Sequence, residues 1–289
     1  MISIIKRIVP KTIKNKIQSW INEHSNKFCI YKLTYEEKTR LKNLRVLVTG
    51  ATGAIGSAIC LRLSCEGAIV GVCGRNENKI YDMIARIKAV NPTAILEPIV
   101  LDVLDNHNIE TAINSFVEVY GGIDALINNA GGGPRDYAKE LYKQDIDLID
   151  SIINTNLRGT LLCCRIASKY MIAQNKGKIV NIGSVMGMQG MPLWTDYASS
   201  KAAIIGLTKS LALELGKYNI NVNCISPGAV AQIFFDGDNK ERPTSSNALG
   251  RWGKGDEVAA LIAFLISDQS DYITGQNIAI DGGRSIGLK

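Results

Sequence analysis

The sequence predicts an α/β fold, a doubly wound parallel sheet of the Rossmann type in a single domain, with an N-terminal basic amphipathic helical extension. Seven short apolar runs recur along the chain, and helical stretches of roughly 10 to 20 residues separate most of them. A glycine-rich turn follows the first run and opens a helix. Repeated strand–helix units wind right-handedly into an open sheet with helices on both faces, which predicts this fold.

The first 43 residues differ from the rest, so we predict a helical extension over 1–43 and a dinucleotide-binding, Rossmann-type catalytic domain over 44–289. After Pro10, apolar side chains recur at helical spacing at Ile13, Ile17, Trp20 and Ile21. The extension has no unbroken apolar run and no small-residue cleavage site, which argues against a signal peptide.

Five basic residues and no acid lie within residues 1–22, namely Lys6, Arg7, Lys11, Lys14 and Lys16. Two interpretations of this basic helix stay open. In the first, the helix docks on an anionic membrane surface. In the second, its apolar face packs on the rest of the protein or on a sister subunit. A mobile tail is a third alternative. A second short helix is indicated by Thr34–Glu37, TYEE, which matches a capping box.

The composition excludes several classes of protein. The net charge of +6 comes almost entirely from residues 1–22, which we call the prefix. The rest of the chain is nearly neutral and has no basic stripe suited to nucleic acid. No run reaches the roughly 18 to 20 apolar residues of a membrane span. The seven cysteines form no CxxC pair, and His24 and His107 lie far apart, so neither a disulfide framework nor a metal site is expected. Buried, reduced cysteines favour a cytoplasmic location.

From residue 44 the apolar runs predict the strands in order. Ligands of such sheets bind beyond the carboxyl ends of the strands, so the residues after each run are the candidates for chemistry. The runs span residues 44–49, 68–73, 95–101, 123–127, 178–183, 220–225 and 277–280.

The first strand is followed by TGATGAIG, Thr49 to Gly56, whose glycines are spaced three apart. Gly50 allows a tight turn, Gly53 brings bare backbone to a phosphate, and Gly56 lets the helix pack on the sheet. The helix N-terminus offers N–H groups to a pyrophosphate. We therefore expect a dinucleotide to contact Gly50, Thr52, Gly53, Ala54, Ile55 and Gly56.

The second strand ends in VCGRN, which bears on the choice of cofactor. An NAD-binding site usually has an acid about 20 residues past the glycines, but positions 72–74 contain none. Arg75 follows instead, and its guanidinium could clamp a 2′-phosphate. The sequence thus favours NADP(H) over NAD(H). The alternative is a solvated arginine at the start of a helix.

Asp102 and Val103 follow the third strand, and NNAGGG, Asn128 to Gly133, follows the fourth. With the glycine turn, these motifs resemble the short-chain dehydrogenase/reductase family over about residues 40–285. The resemblance implies that Asp102 and Val103 meet the adenine of the cofactor. It implies also that NNAG backs the cofactor, through Asn129, Ala130 and Gly131.

The stretch DYASSK puts Tyr197 and Lys201 four apart, on one face of a predicted helix. Ser184 lies upstream at the end of the strand KIVNIGS, and Asn156 lies in NLRG. This order and spacing resemble the catalytic Asn-Ser-Tyr-Lys tetrad of the same family.

Carbonyl reduction explains these residue types. The oxygen that receives negative charge needs a proton, which a tyrosine hydroxyl can donate, so Tyr197 is the expected acid in reduction and base in oxidation. Lys201 would favour the phenolate by its charge and hold the nicotinamide ribose. Ser184 would hydrogen-bond the carbonyl oxygen. The resemblance assigns Asn156 to a water that links Lys201 to solvent. Helix capping by Ser184 and a purely structural Asn156 are the alternatives.

The segment PGAV resembles the family's turn beside the nicotinamide, which adds Pro227, Gly228 and Val230 to the cofactor contacts. The regions around NIGSV and after Leu249 resemble the 3-oxoacyl-acyl-carrier-protein reductases. Gln232 stands where many relatives have threonine, and Gly255 replaces a usual proline. Two interpretations stay open for residues 229–250, which contain Phe234 and Phe235: a lid that closes over substrate, or an irregular surface excursion.

These features predict a cytoplasmic, NADP(H)-dependent oxidoreductase that interconverts a ketone and a secondary alcohol, most like a 3-oxoacyl thioester reductase. Its partner would be a small carbonyl or alcohol substrate, and the family resemblance implies a homo-oligomer, commonly a tetramer. One alternative is a keto-sugar or polysaccharide-pathway reductase held at the inner membrane surface by residues 1–22. Another is a non-catalytic, cofactor-binding regulatory protein, against which the complete tetrad argues. A sugar-nucleotide enzyme would need a larger C-terminal domain than the stretch after Pro227 provides.

Overall fold

The computed structural model describes residues 33–133, 138–231 and 244–287. Its centre is a sheet of seven parallel strands in the order β3-β2-β1-β4-β5-β6-β7. This confirms the predicted fold class, and the strands coincide closely with the seven apolar runs. They are β1 (Arg45–Val48), β2 (Ile69–Gly74), β3 (Ile95–Val100), β4 (Ala125–Asn128), β5 (Gly177–Ile182), β6 (Ile220–Pro227) and β7 (Asn277–Ile280).

Helices cover both faces of the sheet because neighbouring strand residues point to opposite sides. Val46 and Val48 of β1 belong to one apolar cluster, and Leu47 between them belongs to the other. The first cluster includes α2 (Ala54–Cys65), α3 (Glu77–Val90) and α9 (Gly255–Ile266). The second includes α4 (Asn106–Tyr120), α6 (Gly159–Gln174) and α8 (Thr195–Leu215). The remaining helices named below are α1 (Tyr35–Thr39), α5 (Ile146–Ile153) and α7 (Val185–Gln189).

The short helix α1 begins at the capping box that the sequence indicates. The Thr34 hydroxyl accepts the Glu37 N–H at 3.2 Å, and the Glu37 carboxylate accepts the Thr34 N–H at 2.8 Å. After it, Arg40 and Arg62 both pair with the fully buried Glu66 at the end of α2. The Arg40–Glu66 pair attaches the end of α1 to the domain. Residues 1–32, for which the basic amphipathic helix is predicted, lie outside the described residues.

The strand order reverses at β1: β2 and β3 lie on one side of it, and β4 to β7 lie on the other. In open parallel sheets this is where ligands bind, beyond the carboxyl ends of the strands. Among the described residues, no helix combines the length and apolar composition that crossing a bilayer requires.

Candidate active site

A cavity of about 510 Å³ lies at this reversal point. Its walls come from the glycine turn after β1, the loop after β4, the end of β5 with α7, helix α8 and the segment after β6. Thirteen of the predicted site residues line it, namely Gly50, Gly53, Ala54, Ile55, Gly56, Asn129, Gly131, Ser184, Tyr197, Lys201, Pro227, Gly228 and Val230.

Some predicted cofactor residues lie beside this cavity instead of in its wall. The side chain of Thr52 lies against Gly74 at the end of β2, where a Cβ would be 3.3 Å from Thr52 Cγ2, and Arg75 is exposed next to it. Asp102 follows β3, and its carboxylate accepts the N–H of Leu104 at 3.0 Å.

Val103 and Ala130 are also absent from the cavity wall. Val103 is buried against Gly159 at the start of α6, where a Cβ would lie 2.8 Å from Val103 Cβ. Ala130 lies behind the glycine turn, packed against Gly50. All of these residues follow strands, so they lie along the same carboxyl edge of the sheet as the cavity.

The three glycines of the turn have different roles in the structure. Gly50 has a φ of +61°, and a Cβ there would lie 2.7 Å from Ala130 Cα. A Cβ at Gly56 would collide with the Gly50 carbonyl oxygen. At Gly53, in contrast, the nearest contact is 3.4 Å away, because this residue faces the cavity as the N-cap of α2. The first N–H groups of a helix have no partner within it, so the turn presents donors to an anion here.

A hydrogen-bonded clamp joins the glycine turn to the loop after β4. The Thr49 hydroxyl accepts the N–H groups of Asn129 and Ala130, each at 3.0 Å. The Asn129 side chain donates in return to the carbonyls of Thr49 and Gly50, at 3.1 and 2.9 Å. Thr49 was not among the predicted site residues. Its role depends on partners about 80 positions away in sequence, for which the local pattern has no signal.

Tyr197 and Lys201 lie one turn apart on α8 and both line the cavity. The Lys201 ammonium is 5.9 Å from the centre of the Tyr197 ring and donates to the Ile182 carbonyl at 2.8 Å. Burial lowers the pKa of Lys201 to about 8, since desolvation disfavours the charged form. The sequence prediction that these two side chains share one face is confirmed.

Ser184 lines the same wall and is also the N-cap of α7. Its hydroxyl oxygen accepts the Met186 N–H at 3.2 Å, and among the described residues no acceptor takes its own proton. Ser184 can therefore cap α7 and still donate a hydrogen bond to a carbonyl oxygen, so the two interpretations are compatible. Gly187 allows α7 to lie directly on α8, since a Cβ there would be 2.6 Å from the Lys201 carbonyl carbon. This contact brings Ser184 to the side of the cavity that Tyr197 and Lys201 line.

Asn156 lies behind the cavity, in a π-helical turn (Asn154–Arg158) between α5 and α6. It is fully buried, and its amide donates to the Gly132 carbonyl at 3.2 Å and to the Ser200 hydroxyl at 2.9 Å. Its side-chain oxygen accepts the Gly132 N–H at 2.9 Å. Asn156 thus fixes the glycine loop after β4 against α8. Its predicted part in a water relay remains a prediction.

The structure adds wall residues that the sequence did not single out. Trp194 contacts the Tyr197 ring edge-on, with ring centres 5.9 Å apart. Its position three residues before Tyr197 is the sequence signal that could have placed it at the site, because residues three apart on a helix lie on one face. Gly133 packs against the same Tyr197 ring. Trp252 and Arg284 come from the C-terminal part, where no local pattern pointed to the site.

The predicted lid is described only at its two ends. Gln232, Phe234 and Phe235 lie outside the described residues. On either side of that gap, Val230 and Gly253 form an isolated parallel bridge, with the Ala231 N–H donating to Gly253 O at 2.9 Å. Helix α9 begins at Gly255 without the usual proline.

The walls fit a dinucleotide along their length. The N-terminus of α2 offers N–H donors at one end, and the Lys201 ammonium has two further donors besides the one to Ile182 at the other. Between them, a Cβ at Gly132 would meet nothing within 4 Å, which leaves bare backbone open to a ligand. A cofactor lying from Gly53 to Lys201 would put its reactive end at Tyr197 and Ser184.

Comparisons with known proteins find relatives of this chain. A family model described as enoyl-(acyl carrier protein) reductase matches residues 50–285. The chain is 40% identical over 247 residues to a 3-oxoacyl-[acyl-carrier-protein] reductase from Thermotoga maritima, covering 84% of this chain and 98% of that one. It is 37% identical over 250 residues to a short-chain dehydrogenase/reductase from Armillaria gallica, covering 82% and 94%.

The fold also matches solved structures. One is a 3-oxoacyl-[acyl-carrier protein] reductase from Brucella melitensis with bound NAD, with a TM-score of 0.79 and 30% identity over 90% of this chain and 99% of that one.

Proposed function

The chain belongs to the short-chain dehydrogenase/reductase family of oxidoreductases, and on that premise we propose that it interconverts a ketone and a secondary alcohol with NADP(H). A 3-oxoacyl thioester is the leading substrate class. One observation carries the proposal: Ser184, Tyr197 and Lys201 line one cavity together with the glycine turn after β1. The 40% identity to the Thermotoga maritima reductase supports the substrate class.

The cofactor, when bound, supplies or accepts the hydride. Tyr197 donates its hydroxyl proton to the carbonyl oxygen in reduction and takes it back in oxidation. Ser184 donates a hydrogen bond to the same oxygen, for which its proton is available because the Met186 N–H bonds only to the oxygen of its hydroxyl. Trp194 packs against Tyr197 and restricts the orientation of its ring.

Lys201 stabilises the phenolate form of Tyr197 by its positive charge and donates to the nicotinamide ribose. Its ammonium is held by the Ile182 carbonyl, so its position does not depend on substrate. With a pKa of about 8 in the cofactor-free protein, this side chain is mostly charged at neutral pH. Asn156 keeps the loop opposite Lys201 in place through its bonds to Gly132.

NADP(H) is proposed because Arg75 is the charged residue directly after β2, where an acid would favour NAD(H). Arg75 is exposed, and among the described residues it forms no ion pair that would occupy its charge. Asp102 and Val103 are proposed to border the adenine. The NAD in the Brucella melitensis neighbour makes NAD(H) the competing outcome.

Replacing Tyr197 with phenylalanine tests the activity. We expect Tyr197→Phe to reduce ketone turnover by at least about a thousandfold, since it removes the donated proton but not the ring. NADPH binding, measured by fluorescence titration, should stay within a few fold. The assay is NADPH oxidation across 3-oxoacyl thioesters, keto-sugars and simple ketones. Undiminished turnover in the variant would remove Tyr197 from the proposed role.

Replacing Arg75 with aspartate tests the cofactor. Arg75→Asp should shift the ratio of kcat/KM for NADPH over NADH by about tenfold or more toward NADH, because the carboxylate repels a 2′-phosphate and accepts ribose hydroxyls. Arg86→Asp, at a half-exposed arginine of α3 that pairs with Asp82, is a control for the same change of charge. An unchanged ratio in Arg75→Asp would mean that the 2′-phosphate is recognised by other residues.

A second candidate function rests on the basic prefix. Residues 1–22 contain five Lys and Arg residues and no acid, which would favour binding to an anionic membrane surface. A reductase held there would suit a keto-sugar or polysaccharide pathway at the membrane. The proposed enzyme is a homo-oligomer in the cytoplasm, peripheral at the inner membrane surface if the prefix binds lipid. The substrate screen above separates the two functions.

A further inference from the structure

Arg284 is a charged residue in the cavity wall that the proposed chemistry does not use. It lies in the short turn Arg284–Ile286 after β7 and is half-buried. Among the described residues that line the cavity, Lys201 and Arg284 carry charge, and both are positive. Lys201 is committed to Tyr197 and the cofactor, which leaves Arg284 for another ligand.

The turn that carries Arg284 is held firmly. The Asp281 carboxylate accepts the N–H of Gly283 at 2.9 Å and that of Ser285 at 2.6 Å. The Gln189 side chain donates to the Ser285 carbonyl at 2.8 Å. Because its neighbours on both sides are fixed, Arg284 starts from a rigid backbone.

These contacts also determine which end of the cavity Arg284 occupies. Gln189 is the last residue of α7, whose N-cap is Ser184, and a helix of this length spans only about 7.5 Å. Arg284 therefore lies on the Ser184 side of the cavity. The N-terminus of α2, which suits the cofactor's pyrophosphate, is formed by a different part of the wall.

The charge of Arg284 has no partner among the described residues, where neither a hydrogen bond nor an ion pair joins its guanidinium to another side chain. Both oxygens of nearby Asp281 are bonded to backbone N–H groups instead. The cavity that Arg284 lines is also lined by the large apolar side chains Met186, Trp194 and Trp252. A guanidinium beside such surfaces interacts more strongly with an anion than it would in open water.

We propose that Arg284 is a specificity-determining residue, which pairs with an anionic group, a carboxylate or a phosphate, on a keto substrate whose carbonyl lies at Ser184 and Tyr197. The guanidinium fork matches either anion by two parallel hydrogen bonds. This inference rests on the proposed function and narrows it, since a neutral alkyl 3-oxoacyl chain would gain nothing from Arg284.

Binding of matched neutral and anionic ketones tests this without turnover. The full chain with Tyr197→Phe, saturated with NADPH, is titrated by calorimetry with 3-oxobutanoate, 4-oxopentanoate and 5-oxohexanoate, and with their methyl esters. A second arm uses 2-oxopropylphosphonate and its dimethyl ester, so that the two anions are distinguished. We expect at least one anion to bind about tenfold more tightly than its ester.

Adding Arg284→Met should abolish that preference while the affinities of the esters stay within about twofold. Arg284→Lys should retain part of it, because it keeps the charge but not the fork. Lys217→Met, at an exposed cation away from the cavity, should change neither affinity. A preference that survives Arg284→Met, or the absence of any preference for an anion, would overturn the proposal. Neither result depends on ketone reduction, so failure of the proposed function is seen separately in the Tyr197 assay.

Discussion

At the scale of single residues, the position of Lys201 determines its protonation. Its ammonium is almost completely removed from water, and among the described residues it donates to one carbonyl, that of Ile182, so the charged form is disfavoured. Its pKa falls from 10.5 to about 8. A lysine near this value releases and regains a proton close to neutral pH, as the proposed support of Tyr197 in proton transfer requires.

The same shift makes stability depend on pH. Between about pH 8 and 10.5 the unfolded chain still holds a proton on Lys201 that the folded protein has released, so the free energy of unfolding rises with pH in this window. Below about pH 8 both states are protonated and the destabilising effect of burying the charge is fully present. Above 10.5 both are neutral and the effect is absent.

Lys201→Met removes this dependence. The measurement is urea unfolding of the cofactor-free protein at about pH 7.5 and pH 10. The free energy of unfolding of the wild type minus that of the variant should increase by about 1 to 3 kcal/mol between the two pH values. Other titrating groups are common to both proteins and cancel in the difference. A difference that stays constant with pH would contradict the shifted pKa.

At the scale of elements, the site depends on backbones that approach each other closely. The turn into α2 crosses the loop after β4 at Gly50, and α7 lies on α8 at Gly187. The first contact needs glycine twice over, for its positive φ and for the missing Cβ. The glycine turn and the Ser184 wall of the cavity are both built on such contacts.

Gly50→Ala should therefore destabilise the domain by about 1 to 3 kcal/mol, because the new Cβ would lie 2.7 Å from Ala130 Cα at a φ of +61°. Cofactor affinity should fall as well. The measurements are urea unfolding and fluorescence titration with NADPH.

Gly206→Ala is the matched control. Gly206 is exposed within α8, and a Cβ there meets nothing within 4 Å, so the same change should stabilise the protein by about 0.5 to 1 kcal/mol. Equal effects of the two substitutions would argue against the close contact at Gly50.

At the scale of the whole molecule, the charge is unevenly distributed, since the prefix holds nearly all of the excess positive charge. Helix α1 is tied to the domain through Arg40 and Glu66, so whatever the prefix binds is mechanically connected to the catalytic domain.

The two interpretations of the prefix predict different results when residues 1–30 are deleted. If it docks on lipid, deletion should abolish co-sedimentation with vesicles that contain phosphatidylglycerol, because it removes the five basic residues of the stretch 1–22 together with Lys27. If it packs on the protein, vesicle binding should not change and the Tm should fall. Vesicles of phosphatidylcholine alone are the control for charge.

The sequence by itself determined the sheet and the strand positions, and it predicts the four members of the tetrad. Apolar runs, the glycine turn and the spacing of Tyr197 and Lys201 are local patterns, and local periodicity directly reflects which residues share a face. The capping box of α1 is of the same kind.

Only the tertiary structure decided how distant segments meet. The Thr49 clamp joins residues about 80 positions apart, and Asn156 reaches Ser200 across 44 positions. Arg284 enters the wall because β7 lies beside β6 at the edge of the sheet. Contacts of this kind arise from the order of the strands and the packing of helices on them, which no short window of sequence contains.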